Sequence, residues 1–485
     1  MRPSSLRSAA VVALSVTVLS VTALVTPPAA AAPTDTVHDY LQRHRESVGS
    51  PGLAYAVVRN DSVVAQGTFG TDGDGAPVTP RTAFLLGSVA KPFAGLAVAQ
   101  LAEAGRLDVD APVVDTLPWF RLADREVSDR ITTEHLLTHT SGISAPDGVR
   151  FADRFDNTDG AVERAARALA DAEPAGPPGG AFRYSSANYM VLGALVEKVS
   201  GSSYADYLRQ HVLEPLRMRD AVVDEATTRE HIPPGHRLTF DRAWRFDTEY
   251  DESGVPYGYL GGSLTDLTNF AIAQLNGGTF AGTEVPSAEA TARTHEGRVE
   301  TSSGSYGYGW RTRDLDGVRT VHHSGATAGY MSSLVLVPEQ DLAVIVLHNA
   351  HGMARDVQQY EAAFNVVRLL QGGTPHDVGA DPLLAYGPWV LLGLAAVVVA
   401  LLARTALRKG PRSVLRTSIW CGAALLSAFA AGWILPRQFG AGLREVMLWA
   451  PDMAIGIIAV LVACALTLGT HLTLWLRHVR TGHPS

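Results

Sequence analysis

The spacing of apolar positions changes character along the chain. Residues 53–59 and 63–69 are apolar, partly alternating runs joined by Asn60-Asp61, a pattern that predicts a β-hairpin. From Ser88 to Ala104 the apolar positions, Leu96 and Leu101 among them, recur at helical spacing and stop at Gly105. The stretch that follows, to about residue 300, reads mostly as helix and loop with Pro/Gly punctuation such as Pro174 to Gly180. Strand-like runs return at 308–312, 318–322, 331–337 and 342–347, and a last helix is expected over about 354–370. Strands from both ends of the unit around a helical insert predict an α+β fold, one antiparallel sheet flanked by helices beside an all-helical subdomain.

Longer apolar runs lie on either side of that unit. Residues 1–32 carry Arg2 and Arg7, an apolar run from Ala9 to Val25 and the small residues Ala29 to Ala32, which together read as a secretory signal. Whether it is cleaved near Ala31 or kept as an anchor, the chain that follows is expected outside the cytoplasm. After a linker at 376–386, runs at 387–403, 418–436 and 453–476 each have the length of a membrane crossing. Arg404, Arg408, Lys409, Arg412 and Arg416 follow the first run and Arg477 and Arg480 the third, whereas only Arg437 and Arg444 lie in the other loop. By the positive-inside rule, the domain at 33–375 then faces outward and the C-terminus lies in the cytoplasm.

Composition narrows the class. The 485 residues are 46% apolar and 18% charged, which excludes a disordered or fibrous chain. The net charge of −8 is concentrated between the two ends, where 29 Arg and Lys face 46 Asp and Glu. So acidic a domain is not a nucleic-acid partner. Both cysteines, Cys421 and Cys464, fall in the C-terminal apolar runs, so the exported domain has neither a disulfide nor a thiol nucleophile.

The chemistry is signalled by lysine scarcity. Only Lys91, Lys198 and Lys409 stand against 37 arginines, and lysine, unlike arginine, becomes a base when burial lowers its pKa. Lys91 follows Ser88 by three residues at the start of the predicted helix, which sets an amine beside a hydroxyl on one face. A serine needs such a neighbour to act as a nucleophile, and a helix N-terminus offers N–H groups to an oxyanion. Lys198 has Leu195 at the same offset and lacks the pattern. Two further segments are polar in a suggestive way. Phe182 to Tyr189 runs from a loop into a helix; Tyr184 there is either a proton relay or a core aromatic, with Ser185 or Ser186 as helix cap. His322-His323-Ser324-Gly325-Ala326 closes a strand with small residues, giving a substrate room along a sheet edge.

Taken together these motifs resemble the class C branch of the serine β-lactamase and penicillin-binding-protein superfamily over most of residues 35–370. Ser88-Val89-Ala90-Lys91 is similar to its first motif, Tyr184-Ser185-Ser186 to its second, and His323-Ser324-Gly325 to its Lys-Thr-Gly motif with His in place of Lys. The runs Leu136 to Gly142 and Ala102 to Asp110 are further hallmarks. The resemblance implies Ser88 as nucleophile, Lys91 and Tyr184 sharing the base and acid roles, and an oxyanion hole from the N–H groups of Ser88 and Ala326. It also implies substrate contacts from Ser186, Asn188, His323, Ser324, Gly325 and Tyr259, the last within Tyr257 to Gly262, and no metal or other cofactor. His135 and His139 have metal-ligand spacing but lie in or beside a family hallmark run.

Two departures bear on substrate. Ser186 stands where the family usually has Asn, and an unperturbed His323 is largely neutral at pH 7, a weak partner for a carboxylate. Less anionic amides or esters are therefore expected. A signal, a class C-like domain and three spans also resemble the membrane-anchored peptidases of the colibactin-maturing type, which remove an N-acyl-D-amino-acid cap, often acyl-D-asparagine, from nonribosomal peptide prodrugs. A cell-wall D-peptidase, an esterase, a β-lactamase and an idle membrane receptor are the alternatives. Three spans exceed what an anchor needs, which raises a hydrophobic groove for acylated substrate or docking to an exporter.

Overall fold

A computed structural model describes residues 34–407, 414–438, 440 and 442–480. The signal-like segment at 1–32 and the basic residues Arg408, Lys409 and Arg412 lie outside the described residues. Helix α1 (Thr34–Ser47) leads into the hairpin of β1 (Gly52–Arg59) and β2 (Ser62–Gly70), turned at Asn60 with φ +53°. A one-turn 3₁₀ segment, Gly87–Val89, precedes α2 (Ala90–Glu103). Further on come α3 (Ser186–Ser200) and α4 (Leu264–Leu275). Six more strands follow, β3 (Val299–Thr301), β4 (Gly304–Tyr306), β5 (Arg311–Leu315), β6 (Val318–Thr327), β7 (Tyr330–Val337) and β8 (Leu342–His348), and then α5 (Asp356–Leu370).

These strands form one eight-stranded antiparallel sheet in the order β2-β1-β8-β7-β6-β5-β4-β3, so the N-terminal hairpin adds to the edge of a C-terminal meander. Alternate residues of β1 feed different cores. Ala54, Ala56 and Val58 pack with α2, α4 and the helical subdomain, whereas Leu53, Tyr55 and Val57 pack with Val37 and Leu41 of α1 and Val366 and Val367 of α5. Helices thus cover both faces of the sheet, which explains why β7 and β8 are buried end to end and read as continuous apolar runs. The α+β architecture, a sheet of both chain ends beside a helical subdomain, is the one the periodicity predicts.

Three details differ from expectation, each for a local reason. Ser88 is not in the α-helix but in the 3₁₀ turn before it. The run at 308–312 is a strand only from Arg311 onward. Gly309 is at φ +83°, and a Cβ there would meet the carbonyl oxygen of Lys91 at 2.4 Å, so this segment is a turn pressed against the start of α2. The short strands β3 and β4 and a small sheet of Gly235–Thr239, Arg242–Phe246 and Ala350–His351 carry too few residues to show a period.

Beyond the sheet, α6 (Pro382–Leu407), α7 (Val414–Gln438) and α9 (Pro451–Arg480) are long and apolar enough to cross a membrane, with α8 (Leu443–Trp449) between the last two. They cover the three apolar runs, pack on one another through small residues such as Ala395, Ala424 and Ala454, and turn Val390, Val397, Leu426 and Val462 outward. The elements near the N-terminal ends of α6 and α9 reach the domain that holds the sheet: the Trp389 and Phe240 rings lie 4.7 Å apart and tilted, and Arg237 donates to the carbonyl of Met447 at 3.2 Å.

Candidate active site

The 3₁₀ turn that carries Ser88 is wedged against β6. A Cβ on Gly325 would lie 2.2 Å from the Ser88 nitrogen, and one on Gly87, itself at φ +53°, would lie 2.3 Å from the Ala326 nitrogen. Only glycines allow the strand and the turn to approach this closely. The result sets the backbone nitrogens of Ser88 and Ala326 on closely adjoining segments. The turn is pinned from behind, since Ser332 of β7 donates to the Leu86 carbonyl at 2.5 Å and the Leu86 N–H donates to Leu260 at 2.9 Å.

Lys91, one helical turn on, is wholly buried. Its Nζ stands 2.9 Å from Ser88 Oγ, 2.8 Å from the Tyr257 carbonyl and 3.4 Å from Ser186 Oγ. The carbonyl can only accept, while each hydroxyl can donate or accept, so a neutral amine fits with its lone pair turned to the Ser88 O–H. Burial pushes the Lys91 pKa down; Tyr184 opposes this, and the Arg311 guanidinium adds to it. Nζ also sits 5.0 Å from the Tyr184 ring centre. The structure therefore brings Ser88, Lys91, Tyr184 and Ser186 together, the last at the start of α3.

Asn188 is placed otherwise. It is fully buried, its Oδ1 accepts from Ser141 at 2.5 Å, and its Nδ2 donates to His139 Nδ1 at 2.9 Å and to the Ser185 carbonyl at 3.3 Å. With both ends of the amide engaged, it holds the second motif in place instead of reaching substrate. The Ser185 N–H also donates to His139 Nδ1, at 3.2 Å, so the ring proton belongs on Nε2. The His139 ring lies 4.5 Å from that of Tyr184, tilted to it, and, being buried near Lys91 and Arg311, has its pKa held well below the usual value. His135 is used locally, its Nδ1 accepting from the Thr132 N–H at 3.1 Å. Among the described residues no three His, Cys, Asp or Glu side chains converge as metal ligands.

His323 and Gly325 share one face of β6, while Ser324 is half-buried on the other. The His323 Nδ1–H donates to the Ser324 carbonyl at 2.7 Å, leaving Nε2 to accept from the Tyr306 hydroxyl at 3.3 Å. Both nitrogens of a neutral ring are used, and burial, with Arg311 and Lys91 nearby, pushes its pKa well down. The third motif thus offers no cation. The Arg311 guanidinium lies beside it, 5.0 Å from the Tyr184 ring centre and 5.4 Å from that of Tyr306.

Tyr259 lines the Ser88 cavity, a space of about 120 Å³, with its hydroxyl donating to Asp153 Oδ1 at 2.8 Å. Asp153, a buried residue at φ +54°, also accepts from Trp449 Nε1 at 2.9 Å, and Trp449 itself lines the cavity. Sequence reasoning missed the Tyr257 carbonyl, which has no side-chain signature, and Asp153, Arg311 and Trp449, which belong to no motif. An arginine directly after the Tyr306-to-Trp310 run was the one usable hint, as a charge placed at a turn beside a strand.

The comparisons with known proteins agree with this geometry. A family model described as Beta-lactamase matches residues 37–367. Penicillin-binding protein 4 of Amycolatopsis lactamdurans is 33% identical over 312 residues, 62% of this chain and 81% of that protein. Protein flp of Staphylococcus aureus strain MW2 is 27% identical over 345 residues, 66% and 68% of the respective chains. The octameric penicillin-binding protein homologue from Pyrococcus abyssi superposes with a TM-score of 0.62 at 23% identity, covering 74% of this chain and 81% of that one, which bears on the fold alone. The chain belongs to the β-lactamase family, whose members are generally serine hydrolases.

Proposed function

We propose that this protein is a membrane-anchored, extracytoplasmic serine hydrolase acting through an acyl-enzyme on Ser88, and that it cleaves an amide or ester with no carboxylate demand. In its most specific form it is a peptidase removing an N-acyl-D-amino-acid cap, such as acyl-D-asparagine, from a nonribosomal peptide prodrug. The observation that carries the chemistry is the buried Lys91 amine 2.9 Å from Ser88 Oγ. Neutral Lys91 takes the Ser88 proton as Oγ attacks the carbonyl carbon, and the N–H groups of Ser88 and Ala326 hold the oxyanion. Tyr184, stacked beside Lys91, passes the proton to the leaving group, and water enters by the reverse path. The neutral, doubly bonded His323 supports the preference for uncharged substrates. The apolar outward faces of α6, α7 and α9 support insertion in a bilayer, and the contacts of α8 with the domain support placing that loop on the same side as Ser88.

A second reading, a cell-wall D-peptidase that penicillin acylates, is favoured by the likeness to penicillin-binding protein 4. Intact mass and product analysis separate the two. Full-length protein and Ser88→Ala are incubated with an N-acyl-D-asparaginyl amide, a penicillin and a short-chain activated ester. Cap removal by wild type alone is expected. A Ser88 adduct with penicillin but no cap removal favours the D-peptidase, turnover of the ester alone favours an esterase, and no adduct with any probe leaves a receptor.

A further inference from the structure

Tyr184 sits in residues 182–185, which belong to neither helix nor strand, so no regular ladder of hydrogen bonds fixes its backbone. A residue from another part of the chain supplies the missing bonds. The carbonyl of His139 accepts from the Arg183 N–H at 2.8 Å, and its ring Nδ1 accepts from the Ser185 N–H at 3.2 Å, so the backbone is held on either side of Tyr184. The same Nδ1 takes the Asn188 amide at 2.9 Å, which ties the first turn of α3 to the segment. Between these bonds the His139 ring lies 4.5 Å from the Tyr184 ring, inclined by 41°, and the Tyr306 ring meets the imidazole edge-on at 4.7 Å.

Histidine is a costly residue to have at this place. His139 follows the short helix Thr133–Leu137; its N–H bonds to the Leu136 carbonyl at 3.3 Å, and the Thr140 N–H bonds to the His135 carbonyl at 2.9 Å. These are the two bonds of a Schellman turn, which puts the residue at 139 in the left-handed region, and its φ is +57°. Glycine adopts that conformation without steric penalty, and asparagine is the usual second choice. The ring brings another cost. With Nδ1 accepting, the proton is on Nε2, which is buried and has no hydrogen-bond partner among the described residues. As a turn alone, the position would be better filled by glycine. What the imidazole adds is an acceptor at Nδ1 and a flat surface beside Tyr184.

We infer that His139 is the positioning residue for Tyr184, holding its hydroxyl where it can give a proton to the departing group. The role presupposes the acyl-enzyme on Ser88 proposed above, and it lies in the collapse of the tetrahedral intermediate and not in the attack. In that step the bond from the carbonyl carbon to the leaving oxygen or nitrogen breaks, and the leaving atom takes the Tyr184 proton. The phenolic oxygen then takes from Lys91 the proton that came from Ser88. A group that is stable as an anion leaves without a proton, so the leaving group distinguishes a displaced Tyr184 from a generally damaged site.

The full chain in phosphatidylcholine nanodiscs, given the p-nitrophenyl and the trifluoroethyl ester of N-acetylglycine, tests this through kcat/KM, which reports acylation. Nitrophenolate departs unprotonated, whereas trifluoroethoxide is a strong enough base to need the proton. His139→Gly keeps the left-handed turn and its carbonyl and removes only the ring. It is expected to lower turnover of both esters, and of the trifluoroethyl ester at least about ten-fold more, on the way to the 10²-fold or greater scale of a lost general acid. Tyr184→Phe should show the same split or a larger one, and His139→Gly added to it should widen the split no further, because the two residues act as a unit. His139→Asn, whose Oδ1 takes the place of Nδ1 on a backbone that asparagine tolerates, is expected to recover at least about three-fold of the trifluoroethyl rate. Equal losses on the two esters in His139→Gly, or splits that multiply in the double variant, overturn the positioning role and leave the Ser88 chemistry standing. Wild-type turnover of the nitrophenyl ester alone, or no split in Tyr184→Phe, removes the acid role of Tyr184 and the role of His139 with it. Absence of any Ser88-dependent turnover of either ester removes the acyl-enzyme reading itself.

Discussion

Lys91 and His323 belong to one site, are 0% and 2% exposed, and are both held below their ordinary pKa chiefly by burial. They differ in what surrounds the lone pair. Around Lys91 one partner is a carbonyl and two are hydroxyls that can turn either way, so a neutral amine keeps an electron pair for the Ser88 proton. Around His323 a carbonyl fixes the proton on Nδ1 and the Tyr306 hydroxyl fills Nε2. Burial alone therefore does not make a base. A base needs burial together with a lone pair turned to the nucleophile's own hydroxyl, Ser88 for Lys91 and a tyrosine outside the reaction for His323, and that distinction separates the reacting side of the site from the supporting side.

The comparison can be broken most directly at Lys91. Lys91→Arg introduces a fixed charge and removes the base, because arginine stays protonated, and the acylation burst with an activated ester is expected to fall about 10²–10⁴-fold. In the wild type, acylation rises with pH as Lys91 deprotonates, with a midpoint below the usual lysine value of 10.5, and the arginine variant loses that limb. Gly325→Ala comes next. Its Cβ would sit 2.2 Å from the Ser88 nitrogen, and the forced backbone shift is expected to slow acylation about 10²-fold by spoiling the oxyanion geometry. The accompanying loss in stability, about 1–3 kcal/mol from overpacking, is read from thermal melts.

His323→Gln sharpens the contrast from the other side. With no cation lost, turnover of an uncharged ester is expected to change less than about ten-fold, and the melt should fall by about 1 kcal/mol for the broken hydrogen bond. A collapse of acylation on the scale of the Lys91 variant would show that the two groups are equivalent after all. The last effect is on stability and leaves turnover untouched, at a buried histidine remote from the chemistry. His295, 8% exposed and bonded to Gln274, has a folded pKa lowered to about 4 from 6.5. Since only the unfolded chain takes up the proton in that window, its contribution to stability is intact above pH 6.5. It is lost as pH falls toward 4, on the order of 3 kcal/mol. Melting of His295→Gln should accordingly be less sensitive to acid over that range.

Some of the site was legible before any coordinates. The scarcity of lysine singled out Lys91, and its offset from Ser88 is a local relation that a helical turn preserves whether the serine sits in 3₁₀ or α backbone. The hairpin at Asn60, the long apolar helices and the buried strands are likewise local or periodic. The position of Asn188 was misread because its surroundings are not local. Ser141 and His139, nearly fifty residues earlier, claim its amide, and only packing of the segment 139–141 on α3 brings them there.

The sequence by itself determined the α+β unit, the Ser88–Lys91 pair, the absence of a cysteine between residues 33 and 375 and the three long apolar segments, since each follows from period, spacing or composition. Tertiary structure alone decided the rest. It placed the Tyr257 carbonyl on Lys91, closed both nitrogens of His323, and brought Trp449, 361 positions after Ser88, into the wall of the same cavity. Those relations depend on which surfaces meet when the cores form. Hydrophobic burial drives such meetings without direction, so the pattern of apolar residues says that surfaces will pack and not which side chains will face each other across them.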